Sequence, residues 1–265
     1  ETWKVEAFRN GVKIYELMGD KIHGLPPGTV TKKTHPSERN DGKTGELAFG
    51  YQGALNAWLN FDDSGRHTDD RIIEICRAWR KEHPMIVAFW RGLEMAALEA
   101  VNTGQRTQYR QIGFEIVDEW LTMILPNEKR LWYRDPQLRV VMPRWHDPEV
   151  NEDCAEGTCD CRPKPQLTYM AWKFGRWKRV HTYGGKLAEN ATQATSREIL
   201  WPAALRVEAA GYPVILTVYD EIVCEVPNGF GSLAEFHALM LQSPGAWAGG
   251  WPISGAPEEM QRYRK

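Results

Sequence analysis

Val214-Ile215-Leu216-Thr217-Val218-Tyr219-Asp220-Glu221-Ile222-Val223-Cys224-Glu225-Val226 is the stretch that decides how this chain is read. Two β-branched runs, Val214 to Val218 and Ile222 to Val226, flank Tyr219, Asp220 and Glu221. Short runs of this composition around a tight polar turn read as a pair of antiparallel strands. The acids at the tip carry the chemistry. Neighbouring carboxylates repel, so packing gives no reason to place them together. A hard divalent cation such as Mg²⁺ does, because it takes carboxylate oxygens and substrate phosphates. The plain alternative is a solvated turn, where Asp is common.

Working outward, a long helix from about Lys186 to Ala210 precedes this hairpin and ends at Gly211 and Pro213. Before it, Leu167 to Phe174 and Trp177 to Tyr183 flank Gly175 as a second hairpin, and Leu121 to Leu125 and Leu131 to Tyr133 are extended runs. Upstream of about residue 115 the period changes to that of helices. Thr2 can cap a segment with Val5 and Phe8 on one face, and Ile14, Leu17, Met18 and Ile22 continue at helical spacing. A helix is expected from about Ser37 to Trp58. Another starts at Thr68, with Asp69 and Asp70 in its first turn and Ile72, Ile75, Cys76 and Trp79 on one face. His83-Pro84 ends that helix and begins an apolar one that runs to Val101. The expected fold class is α+β: a helical portion, then an antiparallel sheet with packing helices. The Gly- and Trp-bearing tail from Gly245 to Pro252 reads as packed and irregular.

Composition narrows the classes. With 42% hydrophobic and 26% charged residues in 265, the chain is neither disordered nor fibrous. No apolar run reaches the roughly 20 residues of a membrane helix, and Glu1 to Lys4 do not resemble a signal peptide. Five cysteines, an odd count, point to a reducing compartment, the cytoplasm. Cys76 and Cys224 sit among apolar residues and read as small buried hydrophobes. The formal charge of −2 gives no sign of a nucleic-acid partner, so any such site must be a local basic patch.

The helix beginning near Ser37 supplies the second constellation. Arg39, Lys43, Leu47 and Tyr51 are four apart and are expected on one helical face, basic at one end and apolar-aromatic at the other. Arg39 and Lys43 can hold a triphosphate by charge-assisted hydrogen bonds, and Tyr51 can stack on a base. An ordinary amphipathic helix with an exposed basic end is the alternative.

Taken together, these segments resemble a family. Arg39-Asn-Asp-Gly-Lys43-Thr-Gly-Glu-Leu47-Ala-Phe-Gly-Tyr51-Gln-Gly53 is similar to motif B of the A-family (Pol I type) DNA polymerases. Val218-Tyr219-Asp220-Glu221 and the strand after it resemble that family's motif C, usually His-Asp-Glu. Glu189-Asn190-Ala191-Thr192-Gln193 resembles its Gln-bearing helix, which touches template and primer. The run from Thr182 to Gln193 and the segment from Leu121 to Tyr133 are similar to bacteriophage members.

The resemblance implies right-hand polymerase architecture: residues 1–115 as a helical fingers subdomain and 116–265 as a palm subdomain with a cysteine-bearing insertion at about 140–166. It implies template-directed DNA synthesis, the transfer of a dNTP to a primer 3′-hydroxyl. The catalytic residues would be Asp220, Glu221 and Lys43, with Asp220 ligating Mg²⁺. Nucleotide binding falls to Arg39, Lys43, Leu47 and Tyr51, and primer-template DNA contacts to Tyr219, Gln193 and Arg130. Two departures stand out. Tyr219 replaces the usual His, and Leu47 stands where an aromatic usually senses the sugar. The family's motif A aspartate belongs just upstream of Trp3-Lys4-Val5-Glu6-Ala7-Phe8, and the chain begins at Glu1. Two-metal phosphoryl transfer needs that second carboxylate. The expectation is therefore a split polymerase: a second polypeptide supplies motif A and the thumb, with or without an exonuclease, and completes a Mg²⁺ site shared between the chains. A non-catalytic DNA-binding remnant is the competing reading.

His146, Cys154, Cys159 and Cys161 form a set able to bind a structural Zn²⁺, although the spacing departs from Cys-x2-Cys. Free thiols or a disulfide are the alternatives.

Overall fold

Residues 1–142 and 162–263 are described by a computed structural model. His146, Cys154, Cys159 and Cys161, and with them the expected zinc site, lie outside the described residues.

The class is α+β, as expected. Six helices come first: α1 (Thr2–Arg9), α2 (Ile14–His23), α3 (Pro36–Phe49), α4 (Leu55–Phe61), α5 (Asp69–Glu82) and α6 (Pro84–Thr103). Six strands follow: β1 (Thr107–Tyr109), β2 (Ile112–Val117), β3 (Trp120–Ile124), β4 (Arg130–Val141), β5 (Lys164–Lys173) and β6 (Arg176–His181). Then come α7 (Gly184–Ala209), β7 (Val214–Val218), β8 (Glu221–Cys224) and α8 (Leu233–Leu241). Two compact units result, Glu1–Ala191 and Thr192–Lys265.

In the first unit the six strands form an antiparallel meander in sequence order. The alternation of each strand sends Phe114, Leu121, Met123, Tyr133 and Leu167 into a face that α6 covers, and all five are buried. The helical core beneath α3 is built on Phe49, Trp58, Trp79 and Trp90, with Phe49 stacked on Trp58 at 5.6 Å between ring centroids. Thr68 caps α5 by accepting a hydrogen bond from the Arg71 backbone N–H.

The helix expected from Ser37 to Trp58 is two helices. It stops at Phe49, and Gln52 turns the chain with φ +68°. The carbonyl of Gly50 accepts from the Trp90 indole at 3.0 Å and that of Gly53 from Arg80 at 3.0 Å. The carbonyl of the cap residue and that of the turn after it thus find partners on α6 and α5. The β1–β2 hairpin and α8 were not expected from the sequence.

In the second unit, β7 and β8 form a two-stranded antiparallel sheet. Ile222 packs with Ala203, Ala204, Val207 and Tyr212, and Phe236 of α8 joins that cluster. Among the described residues, no helix is long and apolar enough to cross a membrane.

Candidate nucleotide and metal sites

The α3 helix is anchored by its small residues. A Cβ on Gly42 would lie 2.1 Å from the carbonyl oxygen of Tyr15 and 2.5 Å from the backbone nitrogen of Gly19. Only glycine permits α2 and α3 to approach so closely. Asp41, next to it, is 1% exposed and is a hub of charge. Arg66 donates to its Oδ1 at 2.8 Å, and the Nε2 atoms of His23 and His67 each lie 2.9 Å from its Oδ2. Arg66 also binds Asp62 at 3.0 Å and the hydroxyl of Ser37. Farther along the helix, Glu46 meets Lys4, the Trp79 indole at 3.1 Å and His83 Nε2 at 3.2 Å. Burial alone would raise the Glu46 carboxyl. The contact with His83 and the charge of Lys4 outweigh it and hold the carboxyl below its ordinary value.

With its inner face fixed in this way, α3 turns Lys43 and Leu47 outward, both exposed. Lys43 makes no hydrogen bond or ion pair with any described residue. Arg39 is half-buried, its guanidinium carbon 5.6 Å from the centroid of Tyr15, and its Nε is buried without a hydrogen-bond partner among the described residues. Arg39, Lys43 and Leu47 therefore share one helix. Tyr51 does not: it lies in the turn beyond the helix end, because α3 stops two residues earlier. The same turn meets the start of α7, where the Gly185 N–H donates to Gln52 Oε1 at 2.8 Å. A Cβ on Gly185 would sit 2.3 Å from the carbonyl oxygen of Tyr51.

At the start of α7, Asn190 donates to the hydroxyl of Tyr133 at 2.9 Å. Burial raises the pKa of that phenol, so it stays a neutral hydroxyl. Gln193 is exposed on the same helix. Arg130 lies on β4 and donates to Glu115 at 2.6 Å and to Thr122 at 3.1 Å.

In the second unit the β7–β8 turn is tighter than the sequence suggested. Val218 pairs with Glu221, which leaves a two-residue turn of Tyr219 and Asp220. Tyr219 takes φ +54°, the left-handed region that such a hairpin turn requires. It is 89% exposed. Asp220 is exposed and has no partner among the described residues. Glu221 belongs to β8 and accepts from the hydroxyl of Tyr263 at 2.9 Å, which pushes that phenol up. The strand behind the turn is also open: Ile215 is 57% and Leu216 45% exposed. Among the described residues no cluster of three or more His, Cys, Asp or Glu is arranged to hold a metal. Asp220 offers the hard anionic oxygen that Mg²⁺ takes, but one carboxylate does not complete such a site.

Both thiols that the sequence placed among apolar residues are free; Cys76 is buried, and burial pushes half-buried Cys224 up to about 11. Sequence reasoning missed the Asp41 hub. Its partners come from segments 18 to 26 residues away, so no local pattern announces it. An Asp inside a helix, where its propensity is poor, was the available signal. Also missed was a row of tryptophans on the sheet.

Comparison with known proteins identifies one informative relative. The DNA polymerase of Bacillus phage SP02 is 32% identical over 268 positions, an alignment that takes in all of this chain. The chain spans 38% of that protein's length. No family model and no solved structure matches.

Proposed function

We propose that this chain is a fingers-and-palm portion of a phage-type, A-family DNA polymerase, with residues 1–115 as fingers and 116–265 as palm. It extends a DNA primer with dNTPs together with a further segment that brings the other metal-binding carboxylate. The observation that carries this is Asp220: an exposed carboxylate at the apex of a hairpin, without a partner among the described residues, in a chain aligned end to end with part of a phage DNA polymerase. The two-stranded sheet supports the same reading, since among the described residues β7 and β8 pair only with each other, and an open strand edge invites another strand.

On this reading Lys43 and Arg39 bind the triphosphate, and Lys43 can give a proton to the departing pyrophosphate. Leu47 lines the sugar pocket, and Tyr51 packs near the templating base. Tyr219, Gln193 and Arg130 face primer or template. Asp220, with Glu221 beside it, would hold Mg²⁺. Bound there, the metal supplies charge neutralisation for the reacting phosphates. The protein's own share is positioning: a helix locked by Gly42 and Asp41 holds Lys43 in place, and a tight turn presents Asp220. A non-catalytic remnant would have no use for both groups being free.

Primer extension by the complemented enzyme tests these roles. Asp220→Ala is expected to remove nearly all turnover while leaving DNA binding intact. Lys43→Ala is expected to raise the KM for dNTP and lower kcat, together at least about tenfold in kcat/KM, or about 1.4 kcal/mol. Activity of Asp220→Ala within about tenfold of wild type would contradict the assignment.

A further inference from the structure

The six-stranded sheet has a second face, and its composition is unlike that of an ordinary solvated surface. Cross-strand partners share a face. Trp120 is paired with Arg134, Arg134 with Met170, Met170 with Arg179, and Trp172 with Trp177. Trp132, two residues before Arg134, lies on the same side. The face therefore carries four tryptophans across β3 to β6, a span of about 14 Å at ordinary strand spacing. Three of them are open to solvent: Trp132 at 52%, Trp172 at 62% and Trp177 at 45%. The opposite face, covered by α6, is complete without them.

The rings are held in a fixed array. Trp120 and Trp132 meet edge to face at 6.2 Å, and Trp172 and Trp177 do so at 5.7 Å. Between the two pairs lies Arg134, its guanidinium 5.9 Å from the Trp120 ring and 5.0 Å from the Trp177 ring. Hydrophobic burial gives no reason to hold three indoles in water, and exposed apolar clusters mark binding surfaces.

Charge identifies the partner. On the tryptophan face, β4, β5 and β6 carry five cations, Arg130, Arg134, Arg139, Lys164 and Arg179, against one acid of those strands, Asp135, in a chain whose formal charge is −2; Glu115 of β2 binds Arg130, and Lys173, Arg176 and Lys178 lie on the opposite face. Asp135 is itself bound by Arg179. Exposed aromatics set among cations on an antiparallel sheet suit unpaired bases with a phosphate backbone, because every base has a face to stack and every phosphate a charge to neutralise. A duplex buries its base faces and offers the indoles nothing to stack on.

We propose that this sheet face is a platform for single-stranded DNA, with bases on Trp132, Trp172 and Trp177 and phosphates on the surrounding cations. The platform stands on its own geometry; only the choice of DNA over RNA rests on the polymerase reading.

Fluorescence anisotropy of a labelled oligothymidylate of about 12 nucleotides, titrated with the full chain, tests it. Binding is expected to weaken with salt, with a log–log slope of about −0.7 per phosphate neutralised. Trp172→Ala and Trp177→Ala are each expected to weaken it about fivefold or more, while Trp172→Phe retains most of the affinity. Phe61→Ala, an exposed aromatic on α4, is expected to change nothing. Circular dichroism confirms that each variant is folded. Affinities unchanged by the Trp→Ala variants overturn the proposal, as does equal affinity for a duplex of the same length. Binding of oligouridylate without oligothymidylate overturns the assignment to DNA. Self-association that Trp172→Ala abolishes, without oligonucleotide binding, makes the face an interface between copies and overturns the platform. Because the readout is equilibrium binding and not extension, its failure leaves the polymerase reading untouched.

Discussion

The α3 helix and the β7–β8 hairpin carry the two halves of the proposed chemistry, and they are built in opposite ways. Around α3 the structure is closed: Gly42 lies against α2, Asp41 is bound by His23, His67 and Arg66, and Glu46 by Lys4, Trp79 and His83. Only the outward residues, Lys43 and Leu47 among them, are left open. The hairpin has two strands, an apex carboxylate without a partner among the described residues, and Ile215 and Leu216 facing solvent. A two-stranded sheet is marginal by itself and gains most from a further strand. The α3 helix is thus held on its inner face by its own neighbours, whereas the β7–β8 hairpin is held by far less.

The largest expected effect breaks the closed region. Gly42→Ala pushes a methyl into the backbone of α2 and is expected to cost about 3 kcal/mol, read as a lowered midpoint in urea. Gly255→Ala, whose added Cβ would meet nothing nearer than a Leu241 methyl at 3.8 Å, is expected to stay within about 0.5 kcal/mol of wild type. Equal effects at the two positions would mean that α2 and α3 are not in the contact described.

Next comes the acid side of the stability profile. The Glu46 carboxyl is held below its ordinary 4.5 in the folded chain. A depressed pKa stabilises the fold above the unfolded value and stops doing so as pH falls through the folded one. Glu46→Gln is therefore expected to flatten the loss of stability below about pH 4.5 and to leave the profile above it parallel to wild type. An unchanged acid limb would show that Lys4 and His83 do not act on this carboxyl.

The smallest effect sharpens the open region. Ile215→Thr is expected to change the stability of the chain by no more than about 0.5 kcal/mol. The same substitution is expected to weaken association with the complementing segment, measured by calorimetry. A large loss of stability in the chain alone would mean that Ile215 is already covered.

The sequence announced those features whose signal is local. Thr68 before two acids gave the start of α5, His83-Pro84 gave the boundary with α6, and the β-branched runs around Asp220 gave the hairpin. It concealed those that depend on distant partners. The apolar spacing ran on through Gly50 and Gly53, yet tertiary hydrogen bonds from Trp90 and Arg80 end α3 there and carry Tyr51 off the helical face. The β1–β2 hairpin escaped notice because β1 is only three residues long. Helix α8 has the sequence LAEFHALML, too short and too uniformly apolar to show a period. The tryptophan face was legible in principle, since Trp132 and Arg134 alternate with buried Tyr133, but joining it to Trp120, Trp172 and Trp177 takes the strand register, which no local pattern gives.

The central claim, that the hairpin awaits a second carboxylate, is tested most directly by Mg²⁺-dependent primer extension with the purified chain, alone and after addition of a polypeptide carrying a motif A aspartate and a thumb. The account predicts no extension by the chain alone and restored extension in the mixture, lost again with Asp220→Ala. Robust extension by the pure chain alone, or a mixture indifferent to Asp220→Ala, would contradict it.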